Sequence, residues 1–420
     1  MLYHVPKLIT CFAKHHKSAL LIASSASLAG FAGSLFYALL PVILTDLRNE
    51  AFAGLFIAAF TVMQFAVTDP LGGNLADSLG ARKVLRIAMI LFLCGGLSWM
   101  LFGSGLLGMT ILSLFIFVSW SLRVDSTYLL RTTPKKEGGL IFGLRDNIMA
   151  ISCFGSTLAL SFFLAPENYW IIGALMAGTA SLFLFILMLV KNDLPKPKPI
   201  KLRAALNSLA TVKHSIHFIK KNKYIPLFDI GSKLFEGLFY GTIWFVIPLH
   251  LAKLGTSSAG AGLQLGIYEL ITIFLAGVAG WAADRYNWRY MHIIGWLMIA
   301  AGTIAMPFAP TLGGLIAAGV VIGIGNNIAC YAATHALERY DIDHREDGAY
   351  DAFGRMISNV GWAIAPVIAG LMYATYSFES SLFICTATGV GLAIWMISLT
   401  LHLRIEPMQE VAKAAVLIKD

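Results

Sequence analysis

Gly73-Asn-Leu-Ala-Asp77-Ser-Leu-Gly80-Ala-Arg82-Lys83 lies between two long apolar runs, and a looser copy, Gly280-Trp-Ala-Ala-Asp284-Arg-Tyr-Asn287-Trp-Arg289, takes the same place in the second half of the chain. Both copies carry Gly, Asp and Arg at relative positions 1, 5 and 10, and the glycine at position 8 is replaced by Asn287. Glycine at position 1 lets two helices approach closely, the aspartate sits near a helix end, and the basic residues beyond it suit an interfacial layer. Such a loop can latch one rigid half of a molecule against the other. Two unrelated helix-ending loops would have no reason to fall in matching topological places, so the chain reads as an internal duplication.

Composition sets the solvent. Hydrophobic residues make up 58% of the 420 positions and charged residues 13%, against about a quarter charged in soluble domains. Apolar runs of the length that crosses a bilayer, about 20 residues, fall at 20–44, 52–76, 84–103, 107–130, 140–164, 169–190, 225–251, 259–283, 290–308, 312–337, 348–374 and 380–402. Lipid offers the backbone no hydrogen bonds, and the alternating pattern of a membrane barrel is absent, so each run is expected to be a helix. The expected fold is an all-α polytopic membrane protein with twelve transmembrane helices in two six-helix pseudo-repeats.

The net charge of +8 is not spread as a nucleic-acid face would need. The segment Lys191 to Lys223 holds nine Lys or Arg and one acid, Asp193, whereas the loops between alternate spans carry only Arg48 and Lys253. The positive-inside rule therefore places both termini and this segment in the cytoplasm. The amino terminus, with Lys7, Lys14 and Lys17 ahead of an apolar run, reads as an uncleaved first span, because the run is long and no small-residue cleavage site follows. None of the five cysteines has zinc-ligand spacing or a natural disulfide partner, and no metal or cofactor is expected. The chain has no Asn-x-Ser/Thr sequon, which fits a bacterial inner membrane.

The loop signature and its echo resemble those between the second and third, and the eighth and ninth, spans of the major facilitator superfamily. The resemblance implies a six-helix half at 1–190, a cytoplasmic linker at 191–224 and a second half at 225–420. The linker opens with Pro195-Lys-Pro197-Lys-Pro199 and continues with Leu202, Leu206, Leu209, Val212, Ile216 and Ile219 between polar positions. That spacing predicts an amphipathic helix on the inner leaflet; the alternative is a solvated spacer whose lysines only orient the protein. The acidic stretch Glu338, Asp341, Asp343, Glu346 and Asp347 either forms gating ion pairs or solvates a turn.

Charges inside spans are costly and point to function. At about 1.5 Å per residue, Glu236 and Glu269 lie roughly 17 and 15 Å into their spans, near the midplane. Burial there disfavours the charged carboxylate, as a proton carrier requires; the plainer alternative is a neutral carboxyl bonding a neighbouring helix. Asp229, Lys233 and Glu236 fall on one helical face, so Lys233 can neutralise either acid, although Asp229 also suits a surface anchor. Arg123 stands where the resemblance implies an arginine tied to proton coupling, with Thr127 in place of the usual glycine four residues on. Asp69, followed by Pro70, precedes the loop signature by one turn and joins the proton-coupling set. Asp125 suits a pair with Arg82 that completes a latch.

Arg145-Asp146 and Asp351 with Arg355 begin corresponding spans and are expected at a cytoplasmic gate, with Gly73, Asp77, Arg82, Asp125, Asp284 and Arg289. Substrate contact is expected from mid-depth Tyr37, Gln64, Lys233, Tyr240, Trp244, Asn326, Asn327 and Tyr331, each of which could equally serve helix packing. Pro366 allows a bend in the eleventh span, whereas the fifth lacks the proline that antiporters of the family carry there. The expected function is secondary transport of a small organic solute, proton-coupled and by a monomer, with protons and membrane lipids as further partners. Export is slightly favoured, since Gly54 through Lys83 resembles drug exporters; uptake symport and a lipid or lysolipid flippase are the alternatives. No hydrolase or metalloprotease motif and no loop large enough for a catalytic domain is present, which argues against an enzyme; a non-transporting receptor is the remaining alternative.

Overall fold

A backbone in lipid must pair its own N–H and C=O groups, and this chain does so with helices; among the described residues there is no strand. The computed structural model describes residues 25, 28, 30, 40–64, 75, 79–103, 105–122, 145, 147–156, 169–189, 212–213, 216–217, 219–220, 226–253, 273–276, 278–282, 285–308, 311–339 and 347–402. Along them run α1 (Leu40–Leu47), α2 (Glu50–Met63), α3 (Ala81–Phe102), α4 (Leu106–Ser121), α5 (Asn147–Ser156) and α6 (Tyr169–Leu189). The second half supplies α7 (Leu227–Lys253), α8 (Ile273–Ala282), α9 (Trp288–Ala305), α10 (Leu312–Arg339), α11 (Asp347–Thr375) and α12 (Phe378–His402). Each of the twelve expected spans overlaps one of these helices, and the chain is an all-α polytopic membrane protein.

Among the described residues, α3, α6, α9, α10, α11 and α12 are long and apolar enough to cross a membrane. Helix α7 has 27 residues, or about 40 Å of length, but bears Asp229, Lys233 and Glu236, which must turn away from lipid. The outward faces of α3, α6, α9 and α12 expose Ile90, Leu101, Phe185, Met188, Leu297 and Ile394. Such side chains form the wall a bilayer requires. Helix α3 packs on α4 and α6, and α9 packs on α10 and α12, so the two halves repeat one arrangement.

The two copies of the loop signature start their following helices differently. Gly80 precedes α3 with φ 86°, a left-handed backbone that glycine adopts without a Cβ penalty. Asn287 precedes α9 in extended backbone, and its side-chain oxygen accepts the Arg289 N–H at 3.0 Å. The substitution seen in the sequence thus exchanges a backbone turn for a side-chain cap.

The halves meet along α11. Within its own half α11 packs on α7, and a Cβ added to Gly361 would lie 2.6 Å from the Gly237 carbonyl carbon. Across the seam α11 packs on α2, where a Cβ on Gly54 would lie 2.7 Å from the Pro366 oxygen. Helix α1 also packs on α7. Both seam contacts lie toward the end of the bundle that holds the start of α2, here the Glu50 end. Of the linker, Val212 and Ile219 pack with Leu227, Ile230, Phe353 and Ile357 from the starts of α7 and α11.

Candidate functional site

At about 100° per residue, Asp229, Lys233, Glu236, Tyr240 and Trp244 fall within roughly 80° around α7. They form one stripe from the helix's first turn to its middle. Lys233 Nζ lies 3.7 Å from Glu236 Oε2, and the two side chains keep 28% and 27% of their surface exposed. A Cβ on Gly354 of α11 would stand 3.9 Å from both Asp229 Oδ2 and the Lys233 side chain, so this face of α11 lies within van der Waals reach of the stripe. The charge of Lys233 is felt by Asp229, Cys330 of α10 and Arg145, which lies just ahead of α5 in the other half. Arg145, a like charge from the opposite half, is thus within electrostatic reach of Lys233.

Higher on the stripe, Tyr240 is half-buried and sets its ring edge-on to Phe239 at 5.3 Å. Trp244 is only 5% exposed, and its indole N–H is buried with no hydrogen-bond partner among the described residues. An indole N–H in that position is costly unless something supplies an acceptor. On α10, Gly325 faces Gly295 of α9, so Asn327, Cys330 and Tyr331 turn to the opposite side, toward α7. Asn327 donates its side-chain amide to the Gly323 carbonyl at 2.8 Å. Asn326, Asn327 and Tyr331 are all buried, as is Gln64 at the end of α2.

The expected gate residues divide. Arg82 donates through Nε to the Leu187 carbonyl at 3.0 Å and through Nη2 to that of Met188 at 3.1 Å, and Arg86 Nη2 reaches Leu187 O at 2.8 Å. These arginines cap the carbonyls left over at the end of α6. Arg289 holds its guanidinium 5.7 Å over the Trp288 ring. Arg355 and Asp351 lie in the first turns of α11. Tyr37, Asp69, Gly73, Asp77, Arg123, Asp125, Asp146, Glu269 and Asp284 lie outside the described residues.

One buried polar chain was not anticipated. His292 of α9 is fully buried, Trp296 donates its indole N–H to His292 Nε2 at 3.0 Å, and His292 Nδ1 lies 2.8 Å from Thr400 Oγ1. Indole nitrogen can only donate, so Nε2 accepts and the neutral ring carries its proton on Nδ1. The Thr400 hydroxyl in turn donates a hydrogen bond to the Met396 carbonyl at 2.7 Å. With every atom satisfied, this chain is a tie between α9 and α12. Its partners are a hundred residues apart, so only the i to i+4 spacing of His292 and Trp296 was visible in sequence.

Two homologous helical halves, with charges turned inward where they meet, define a polytopic membrane carrier. A model of the Major Facilitator Superfamily matches residues 22–235 and again residues 230–416, so the chain belongs to that family of secondary transporters. Among solved structures it is similar to the human organic anion transporter MFSD10 (TETRAN), at 16% identity over 92% of this chain and 99% of that one, with a TM-score of 0.71. It is likewise similar to a POT family transporter in complex with 5-aminolevulinic acid (13% identity, 92% and 96% of the two chains, TM-score 0.70). The xylose transporter XylE from E. coli, in a partially occluded inward open conformation, matches at 16% identity over 90% and 96%, with a TM-score of 0.64. These likenesses show a shared fold. Comparison with curated proteins finds no match.

Proposed function

We propose that this chain is a proton-coupled transporter of a small organic anion that binds along the α7 stripe. The observation that carries the reading is the 3.7 Å contact of Lys233 with Glu236, with Arg145 of the other half within electrostatic reach. With Glu236 ionised, Lys233 is occupied. Protonating Glu236 removes the nearer of the two carboxylates that hold Lys233, leaving Asp229, and raises the net positive charge that Lys233 and Arg145 present, which favours an anion there. Proton and anion then load together, and the Trp244 N–H offers a donor to a substrate oxygen. Glu269, Arg123 and Asp69 complete the proton-coupling set, and Tyr37, Gln64, Tyr240, Asn326, Asn327 and Tyr331 the cavity. The likeness to a human organic anion transporter supports an acidic substrate.

The protein works as a monomer in the membrane, with the Lys191–Lys223 segment and both termini in the cytoplasm and the Glu50 end outside. The second reading, export of a cation, follows from the same pair: a cationic solute reaching the exposed quarter of Glu236 competes with the proton and exchanges for it.

A thermal-shift screen of the purified protein against organic anions, organic cations and lysolipids separates these readings, since a ligand that binds only the folded state stabilises it. Stabilisation by anions that disappears in Lys233→Gln supports the first, and stabilisation by cations that disappears in Glu236→Gln supports the second. Lysolipids acting alone would move the reading to a flippase. In proteoliposomes, Glu236→Gln and Glu269→Gln should lose gradient-driven accumulation and keep exchange; full accumulation in both sinks the proton-carrier assignment.

A further inference from the structure

At the Glu50 end, a second set of titratable groups gathers well away from the α7 stripe. His250, two residues beyond Pro248 near the end of α7, stacks flat on Phe378 of α12, with ring centroids 3.8 Å apart and planes 7° from parallel. The Tyr373 hydroxyl of α11 lies 3.4 Å from His250 Nδ1. Glu379, next to Phe378, accepts from Ser377 and interacts electrostatically with His250 and with Tyr373. From the other half comes Glu50, the first residue of α2, whose charge also reaches Tyr373. Its carbonyl oxygen would lie 3.2 Å from a Cβ on Gly370, one turn before Tyr373. Arg48, in the turn joining α1 to α2, is exposed. The cluster thus runs Glu50, Tyr373, His250, Glu379 across the seam between the halves.

We propose that His250 is a proton-binding site at the outer mouth, and that a proton held there keeps the Glu50 end closed. Imidazole changes charge between about pH 5 and 8. Neutral His250 can accept the Tyr373 proton at Nδ1. The imidazolium cannot: it gains the field of Glu379 and the face of the Phe378 ring, and the Tyr373 hydroxyl it releases lies within the field of Glu50. Of those carboxylates, Glu379 travels with His250 in the same half, but Glu50 leaves with the opposite half when the mouth opens. The closed arrangement therefore binds the proton more tightly than the open one, and by linkage acid outside favours closure. A carrier so built is slowed on its outward-facing step when the outside is acidic.

The proposal takes from the functional reading only that the Glu50 end faces outside, and its test needs no substrate. Spin labels at Ala51→Cys and Tyr376→Cys, in full-length protein whose five native cysteines are replaced, report the width of the mouth in nanodiscs. Between pH 7.5 and 5.5 the closed-to-open ratio should rise about tenfold, the change that one unit of difference in proton affinity produces. His250→Gln should flatten that response. Glu50→Gln, which keeps the imidazole, should shrink it, and Glu379→Gln should leave its larger part. A full response in His250→Gln, or in Glu50→Gln should the histidine variant fail to fold, overturns the proposal, as does one fixed distance at every pH. A failure of transport in the same protein would leave these distances readable, so the two readings fall separately.

Discussion

Lys233 Nζ and Glu236 Oε2 lie 3.7 Å apart on one face of α7, and each side chain is a little over a quarter exposed. A pair so placed is neither a surface ion pair nor a sealed one, and removing one partner leaves the other charge among helices. Lys233→Gln and Glu236→Gln should each destabilise the purified protein by about 1 kcal/mol, while the double variant should cost less than the sum of the two. Thermal unfolding in detergent measures the cycle. Strict additivity would mean that the two residues act independently.

Glycine contacts inside a half and across the seam should respond differently to added bulk. A Cβ at Gly361 meets the Gly237 backbone of the same half, so Gly361→Val should destabilise the carboxy-terminal half by about 2–3 kcal/mol. A Cβ at Gly54 meets the Pro366 oxygen of the other half. The halves can give way there by separating, so Gly54→Val should leave the melting temperature nearly unchanged and raise labelling of a cysteine placed at Ala51. Equal losses of stability in both variants would contradict the idea that the seam moves and the half does not.

The helices were legible in sequence because lipid leaves a backbone one option per apolar run, and the duplication because Gly280, Asp284 and Arg289 repeat the spacing of Gly73, Asp77 and Arg82. The α7 stripe was legible as well, since Asp229, Lys233 and Glu236 obey helical spacing. Arg145 was read as a gate residue; its electrostatic influence on Lys233 depends on how two halves pack, which local spacing does not encode. Arg82 was expected beside Asp125, which lies outside the described residues; the partners described for it are backbone carbonyls of α6, groups every residue has and no sequence marks. His250 lay at the end of an apolar run with nothing nearby in sequence to distinguish it, because Tyr373 and Phe378 come more than a hundred residues later.

The fork made by Arg82 predicts that charge alone will not replace it. Nε and Nη2 reach two successive carbonyls, a geometry that a lysine ammonium on its flexible stem does not reproduce. Arg82→Lys should therefore cost about 1 kcal/mol of stability. Arg86→Lys, which gives up one described bond to Leu187 O, should cost less. Denaturation of the two variants side by side decides it, and equal stability of Arg82→Lys and wild type would show that the α6 carbonyls find other donors.

His292 separates a structural histidine from a working one. Its ring accepts from Trp296 and contacts Thr400, and Phe228 sets its ring at 79° to the imidazole with centroids 5.0 Å apart. His292→Leu fills much of the volume but strands the Trp296 N–H and removes the Nδ1–H that the Thr400 oxygen accepts. It should destabilise the protein by about 2–3 kcal/mol. His292→Gln can restore one of the two contacts and should recover part of that loss. Because the neutral ring is already satisfied at both nitrogens, it has no vacancy for a transported proton, and turnover per folded molecule should be unchanged in both variants. A fall in the proton-driven rate of His292→Gln, measured on protein whose folded fraction has been titrated, would instead move this histidine into the coupling pathway.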